Sequence, residues 1–193
     1  MAKDDCQNDF RAAAAADGVV LTRAKVPWIN QRGHLGLPVE ATAALEPLTA
    51  IFNALSGVEQ EQAAKRLTAL PGDFFHEESG VFVEVDEHQH FTSHRLTTLS
   101  LYPSGVELGF DLDEYKALCH EWAARADRFR ASKAAIGFGP GGRVRQRAYN
   151  DALRDLATSA MGHPPVIRVA APERGGVAAY LRVRDRLATA VRQ

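Results

Sequence analysis

The sequence predicts an α/β fold, a small mixed β-sheet flanked by α-helices, and three observations carry that expectation. Val81-Phe82-Val83-Glu84-Val85-Asp86 has the two-residue period of a strand. Val166-Ile167-Arg168-Val169 is a short β-branched run with the character of a core strand. Before, between and after these segments, apolar residues recur at helical spacing, so helices pack against a sheet in a mixed α/β sandwich.

Taken in order, residues 1–10 are polar and Ala12 to Ala16 is an alanine run, so residues 1–15 are expected to be disordered. Residues 18–29 read as an extended segment that ends in a loop containing Gly and Pro. Ala44, Leu45, Leu48, Ile51, Phe52 and Leu55 make residues 39–55 a helix, broken by Ser56-Gly57. A second helix is expected over residues 58–67. Leu70-Pro71-Gly72 then leads into a strand at 73–76, a turn at 77–80 and the strand at 81–86. Residues 92–102 are amphipathic but mixed. Asp111 with Glu114 three residues on is a capping box that opens a helix running to about residue 129. After the glycine-rich loop at 137–142 come a helix over 143–158, the strand at 166–169 and a last helix over about 177–191. One domain is expected over 1–193, with its core at about 40–170 and a helical insertion at about 99–142.

Composition narrows the class. Hydrophobic residues make up 46% and charged residues 24%, as in a soluble globular protein. No apolar run approaches the roughly 20 residues of a membrane span, and no basic n-region precedes an apolar core, so neither a membrane nor a secretory leader is expected. The two cysteines, Cys6 and Cys119, lie far apart in unlike contexts, which points to a reducing, cytoplasmic setting. The net charge of −1 is unevenly divided. From Arg125 onward there are 14 basic and 5 acidic residues, against 9 and 19 before it, a division that suits a polyanionic partner.

The chemistry concentrates at residues 70–95. On the strand at 81–86, Val81, Val83 and Val85 face one way and Phe82, Glu84 and Asp86 the other. Two ionisable groups on one face of an apolar strand need compensation, and a divalent cation is a natural source because hard cations take carboxylate oxygens. Asp73 precedes Glu84 by eleven residues across a turn, so a hairpin brings the two together on strands about 4.8 Å apart. Three carboxylates within that reach would hold Mg²⁺ or Mn²⁺, which activates water and stabilises charge in phosphodiester cleavage.

An Asp, a turn and then apolar-Glu-x-Asp resembles the pattern of the PD-(D/E)XK restriction-endonuclease-like superfamily. Glu84-Val85-Asp86-Glu87-His88-Gln89-His90 is similar to the E-x-D-G-x-x-H signature of the branch related to very-short-patch repair endonucleases, which continues with an Asp and Arg on a helix and a strand ending in Arg. Asp151, Arg154-Asp155 and Arg168 follow that order here. The resemblance implies a restriction-endonuclease-like core, a Mg²⁺- or Mn²⁺-dependent nuclease and nucleic acid, DNA above all, as partner, in bacterial repair or defence. It makes Asp73 and Glu84 metal ligands and has Asp86 bind the metal or position water, with Gln89 and His90 at the nucleophilic water or the scissile phosphate. Arg154 and Arg168 would contact phosphate or brace the carboxylates. Glu87 stands where the branch has Gly, and Asp86 where many relatives have Lys. Glu40 and Glu46 are candidates for a further acid from an N-terminal helix.

Arg143, Arg145 and Arg147 oppose the dipole of the helix they open, a placement that favours a role in gripping a phosphate backbone, and Arg95 joins them as a candidate nucleic-acid contact. Self-association into a homodimer stays open. So does an inactive nuclease-like domain that binds nucleic acid or a protein. A third reading, a transition-metal site from His76, His88, His90 and His94 as in cupin-like barrels, needs more strands than this largely helical chain offers.

Overall fold

The computed structural model describes residues 5–192, and among them seven α-helices surround a four-stranded mixed sheet. In chain order these are α1 (Asp5–Ala16), β1 (Thr22–Arg23), α2 (Leu45–Ala54), α3 (Glu59–Ala63), β2 (Phe74–His76) and β3 (Val81–Asp86). They are followed by α4 (Ser93–Ser100), α5 (Leu112–Ala126), α6 (Arg143–Ala160), β4 (Ile167–Ala170) and α7 (Gly176–Ala190). The spatial order of the sheet is β1-β2-β3-β4, antiparallel except for the parallel pair β3 and β4. A parallel neighbour requires a crossover. α4, α5 and α6 supply it, and Glu84 comes to lie in register with Arg168.

All six residues of β3 are buried, because both faces of this inner strand are covered. The alternation expected from sequence sorts its side chains. Val81, Val83 and Val85 join a cluster formed with α1 and α7, whereas Phe82 joins one formed with α2 and α6. A third cluster, built on Phe91, Leu99, Tyr115 and Cys119, fastens α5 to α4. The Asp111 cap forms as the sequence predicts, its carboxylate accepting from the Glu114 backbone N–H at 2.8 Å.

The N-terminus is a correction. In place of disorder through residue 15, the chain from Asp5 onward forms α1, and residues 1–4 lie outside the described residues. Cys6, Phe10 and Ala14 recur every fourth residue and make one buried stripe. The Phe10 ring lies 6.1 Å from Phe74 and 5.6 Å from Tyr180, wedged between the sheet and α7. At the crossing, any Cβ on Gly176 would collide with the Cys6 carbonyl of α1, so glycine sets how closely the two helices approach. The segment 39–55 is likewise not one helix. Residues Val39–Ala44 form 3₁₀ turns with a kink at Ala41, and regular helix begins at Leu45. The expected helix over 58–67 shortens to α3, and the extended reading of 18–29 keeps only two strand residues.

Candidate active site

A cleft of about 540 Å³ opens where the start of β2, the end of β3, the 3₁₀ turn His88–His90 and the N-terminal half of α6 meet. Glu84 and Asp151 are the acids buried deepest in its lining, and Arg23 and Arg130 are exposed at its edge. Asp73 immediately precedes β2 and is tied to the β2–β3 hairpin. Its Oδ2 accepts the Val85 N–H at 2.9 Å, and its own N–H donates to Glu84 Oε1 at 3.1 Å. The hairpin therefore brings these two carboxylates together as the eleven-residue spacing predicts. Gly72 allows it, since a Cβ there would meet the Phe82 ring and Glu84 Oε1.

Burial raises the Asp73 carboxyl above its ordinary range, against the hydrogen bond from Val85. It pushes Glu84 up to about 8, against the pull of Arg154. Arg154 Nε lies 3.2 Å from Glu84 Oε1, while its Nη2 donates to the Pro71 carbonyl at 2.7 Å. Arg154 is thus the guanidinium in ion-pair contact with Glu84, and the carboxyls of Glu84 and half-buried Asp73 both stay raised.

Asp86 does not join them. It points toward the same side of the sheet, but at 1% exposure it lies behind the cleft wall. Arg168 Nη1 reaches its two oxygens at 3.0 and 2.8 Å. The three acids therefore do not form one ligand set, a correction to the expectation from their spacing. Among the described residues, the group compact enough for one ion is Asp86, His90 and Asp151, each offering an atom within 4.8 Å of the others. This group is already compensated. His90 Nδ1 sits 2.8 Å from Asp151 Oδ2 and 3.3 Å from Asp86 Oδ1. Burial alone would depress His90 and raise Asp151. The contacts reverse both directions: the two carboxylates raise His90, and His90 with Arg168 holds Asp151 low. The electrostatic deficit lies at Asp73 and Glu84, and there the donor set, two carboxylates in an open cleft, fits a hard cation.

The predicted arginines divide. Arg143, Arg147 and Arg154 line the cleft. Arg95 and Arg168 are each 1% exposed and serve Asp155, at 2.7 Å from Arg95 Nη2 and 2.6 Å from Arg168 Nε, so neither reaches a phosphate backbone. Arg145 is also reassigned: its guanidinium donates to the Leu55 and Phe138 carbonyls at 3.1 and 2.7 Å, fastening the glycine-rich loop. Gln89 lines the cleft, with its carbonyl bound to Arg147 Nη1 at 3.1 Å. Glu40 and Glu46 are exposed and outside it; the N-terminal contribution is Gln7 of α1, which donates to Asp73 Oδ1 at 3.1 Å. The four histidines of the cupin-like reading do not converge, and His76 Nδ1 pairs with Ser79 Oγ at 2.8 Å.

Sequence reasoning gave Asp151 no role of its own, although it lines the cleft and fixes His90. The available signal was an acid inside the apolar spacing of α6, between Ala148 and Ala152. Phe129, Arg130 and Arg174 were also missed, because they enter from loops remote in sequence.

Residues 50–136 match the model of a family of unknown function (DUF7255), a span that holds Asp73, Glu84, His90 and Phe129 but neither α6 nor β4. No curated protein and no solved structure matches the chain.

Proposed function

We propose that the chain is a metal-dependent nuclease that hydrolyses phosphodiester bonds, with DNA as substrate and Mg²⁺ or Mn²⁺ as cofactor. The observation that carries this reading is a pair of under-compensated carboxylates, half-buried Asp73 and buried Glu84, in a cleft also lined by Arg143, Arg147 and Arg154. The resemblance of residues 73–90 to the restriction-endonuclease-like superfamily supports it, and a cytoplasmic setting in repair or defence belongs to the same reading.

Asp73 and Glu84 would hold the ion. When bound, it would supply a Lewis acid for the phosphate and an acidified water. His90 has its Nδ1 engaged by Asp151, which fixes the ring and leaves Nε2 without a hydrogen-bond partner among the described residues. In its neutral form His90 is thereby oriented to accept a proton at Nε2 from an attacking water, as a general base requires. Arg143 and Arg147 bring guanidinium donors to the cleft lining, where they would meet a polyanion.

A second reading has its own support. Arg154, 3.2 Å from Glu84, already supplies some of the charge a metal would supply, as in a domain that binds nucleic acid without cutting it. Incubating the protein with labelled DNA and RNA in Mg²⁺ or Mn²⁺ separates the two. Metal-dependent cutting is expected, falling on the order of 10²-fold or more in Glu84→Ala. Equal cutting by wild type and variant would remove the nuclease reading. Binding with no cutting in either metal selects the second.

A further inference from the structure

Resting on the reading of the cleft as a nuclease site, we infer that Phe129 and the arginines around it form a separate phosphate subsite, one that grips the nucleic-acid strand beside the bond to be cut. Arg130 lies over the Phe129 ring at 5.3 Å and Arg147 at 5.4 Å, so a single aromatic ring carries two guanidinium groups. Both arginines line the cleft together with Arg143, as does Phe129 itself. A guanidinium held over a ring keeps N–H donors for phosphate, and Arg147 does so beyond the Nη1 it gives to the Gln89 carbonyl.

Three features make this cluster costly unless an anion joins it. The groups share one sign of charge: burial lowers the basicity of Arg147, and Arg143 and Arg130 lower it further against the pull of Asp151. The ion pairs of this region go elsewhere: Asp151 is committed to His90, and Arg143 Nη1 donates to the neutral Gln146 side chain at 2.5 Å. Finally, Arg130 holds a backbone φ of 59°, a left-handed conformation that glycine adopts freely and arginine does not. A residue with a long cationic side chain thus occupies a strained position at the mouth of the cleft, held over the Phe129 ring.

The ligand class follows from the two halves of the cleft. The acids repel an anion and hold it only through a cation, whereas the Phe129 wall attracts one directly. A strand carrying successive phosphates satisfies both at once, one phosphate at the acids and the next on Arg130 and Arg147. A free anion needs only the arginine wall.

Binding in Ca²⁺ without turnover tests the subsite separately from the chemistry. The probe is a fluorescein-labelled single-stranded oligodeoxynucleotide, read by anisotropy across a salt series. Arg130→Ala is expected to weaken binding roughly tenfold and to flatten the dependence of log Kd on log salt by about 0.7. Arg130→Lys, which keeps the charge but cannot present a stacked plane, should recover only part of the loss. Phe129→Leu should weaken binding several-fold with an unchanged thermal unfolding midpoint. Arg128→Ala, an exposed arginine of the same loop that does not line the cleft, should bind like wild type. Unchanged affinity in Arg130→Ala, or an equal loss in Arg128→Ala, would overturn the subsite. Displacement of the strand by inorganic phosphate at a matching phosphate concentration would overturn the strand assignment in favour of a free anion. An intact binding pattern with no cutting in Mg²⁺ or Mn²⁺ supports the subsite and counts against the nuclease reading alone. Metal-dependent cutting with affinity indifferent to residue 130 does the reverse.

Discussion

Glu84 and Asp86 lie two residues apart on one face of one strand, and they end in opposite electrostatic conditions. Asp86 receives Nη1 of Arg168 at 2.8 Å and the Tyr115 hydroxyl at 3.3 Å, whereas Glu84 has Nε of Arg154 at 3.2 Å, an arginine that also lies 3.6 Å from Asp151. Because burial raises the Glu84 carboxyl from 4.5 to about 8, the folded protein prefers it protonated. Its contribution to stability is therefore fully present below pH about 4.5, and is lost as the pH rises through about 8. Glu84→Gln keeps an acceptor for the Asp73 N–H and cannot ionise. It should match the wild type near pH 4.5 and gain on it up to pH 8.5, by on the order of 2–5 kcal/mol, or roughly 5–15 °C in unfolding midpoint. Thermal unfolding in metal-free buffer at the two pH values measures this. A gap that does not widen with pH would show that Glu84 is ionised in the fold. The spacing of Asp73, Glu84 and His90 was legible because strand alternation and a short turn fix where neighbouring side chains go. The partners of those residues were not, because Arg154 and Arg168 arrive from about 70 to 80 positions away.

At the scale of elements, α1 shows how a weak local signal becomes decisive in context. Twelve residues, five of them a run of alanine, would not hold a helix alone in water. Its stability comes from burying Cys6, Phe10 and Ala14 against α7 and the sheet, and it carries Gln7 to Asp73. Phe10→Ala should cost about 3–5 kcal/mol in chemical denaturation, the range of a buried aromatic replaced by a cavity. A loss below about 1 kcal/mol would mean that α1 is only loosely attached. α6 presents the converse case. The helix expected over 143–158 forms, yet Asp151, Arg154 and Asp155 are buried among its apolar residues, since a helix enclosed on most sides hides polar residues that periodicity assigns to solvent.

For the whole molecule, the buried ion network is what ties the layers together. Arg168 on β4 reaches Asp86 on β3 through Nη1, the Asp151 carbonyl on α6 through Nη2 at 2.9 Å, and Asp155 through Nε. Asp155 in turn holds Arg95 of α4 and the Tyr102 hydroxyl at 2.7 and 2.6 Å. Removing the central cation leaves Asp86 buried without a guanidinium and Asp155 with Arg95 alone. Arg168→Ala is expected to cost about 3–5 kcal/mol, whereas Arg143→Ala at the cleft should stay within about 0.5 kcal/mol. Equilibrium unfolding in urea compares the two, and equal effects would deny Arg168 its place at the centre of the network. The division of charge along the chain takes physical form here. Basic residues of the second half reach acids of the first, as Arg168 does Asp86 and Arg154 does Glu84.

The sequence by itself determined the α/β class, the β2–β3 hairpin and the meeting of Asp73 with Glu84, because these depend on periodicity and on contacts only a few residues apart. Only the tertiary structure decided which acids lack a counter-charge, which arginines are structural and which face the cleft, and that a loop after α5 and the N-terminal helix complete the site. Those outcomes depend on desolvation and on pairings between distant segments. No local pattern encodes them, since the same arginine is a ligand for phosphate when exposed and a buttress for aspartate when buried.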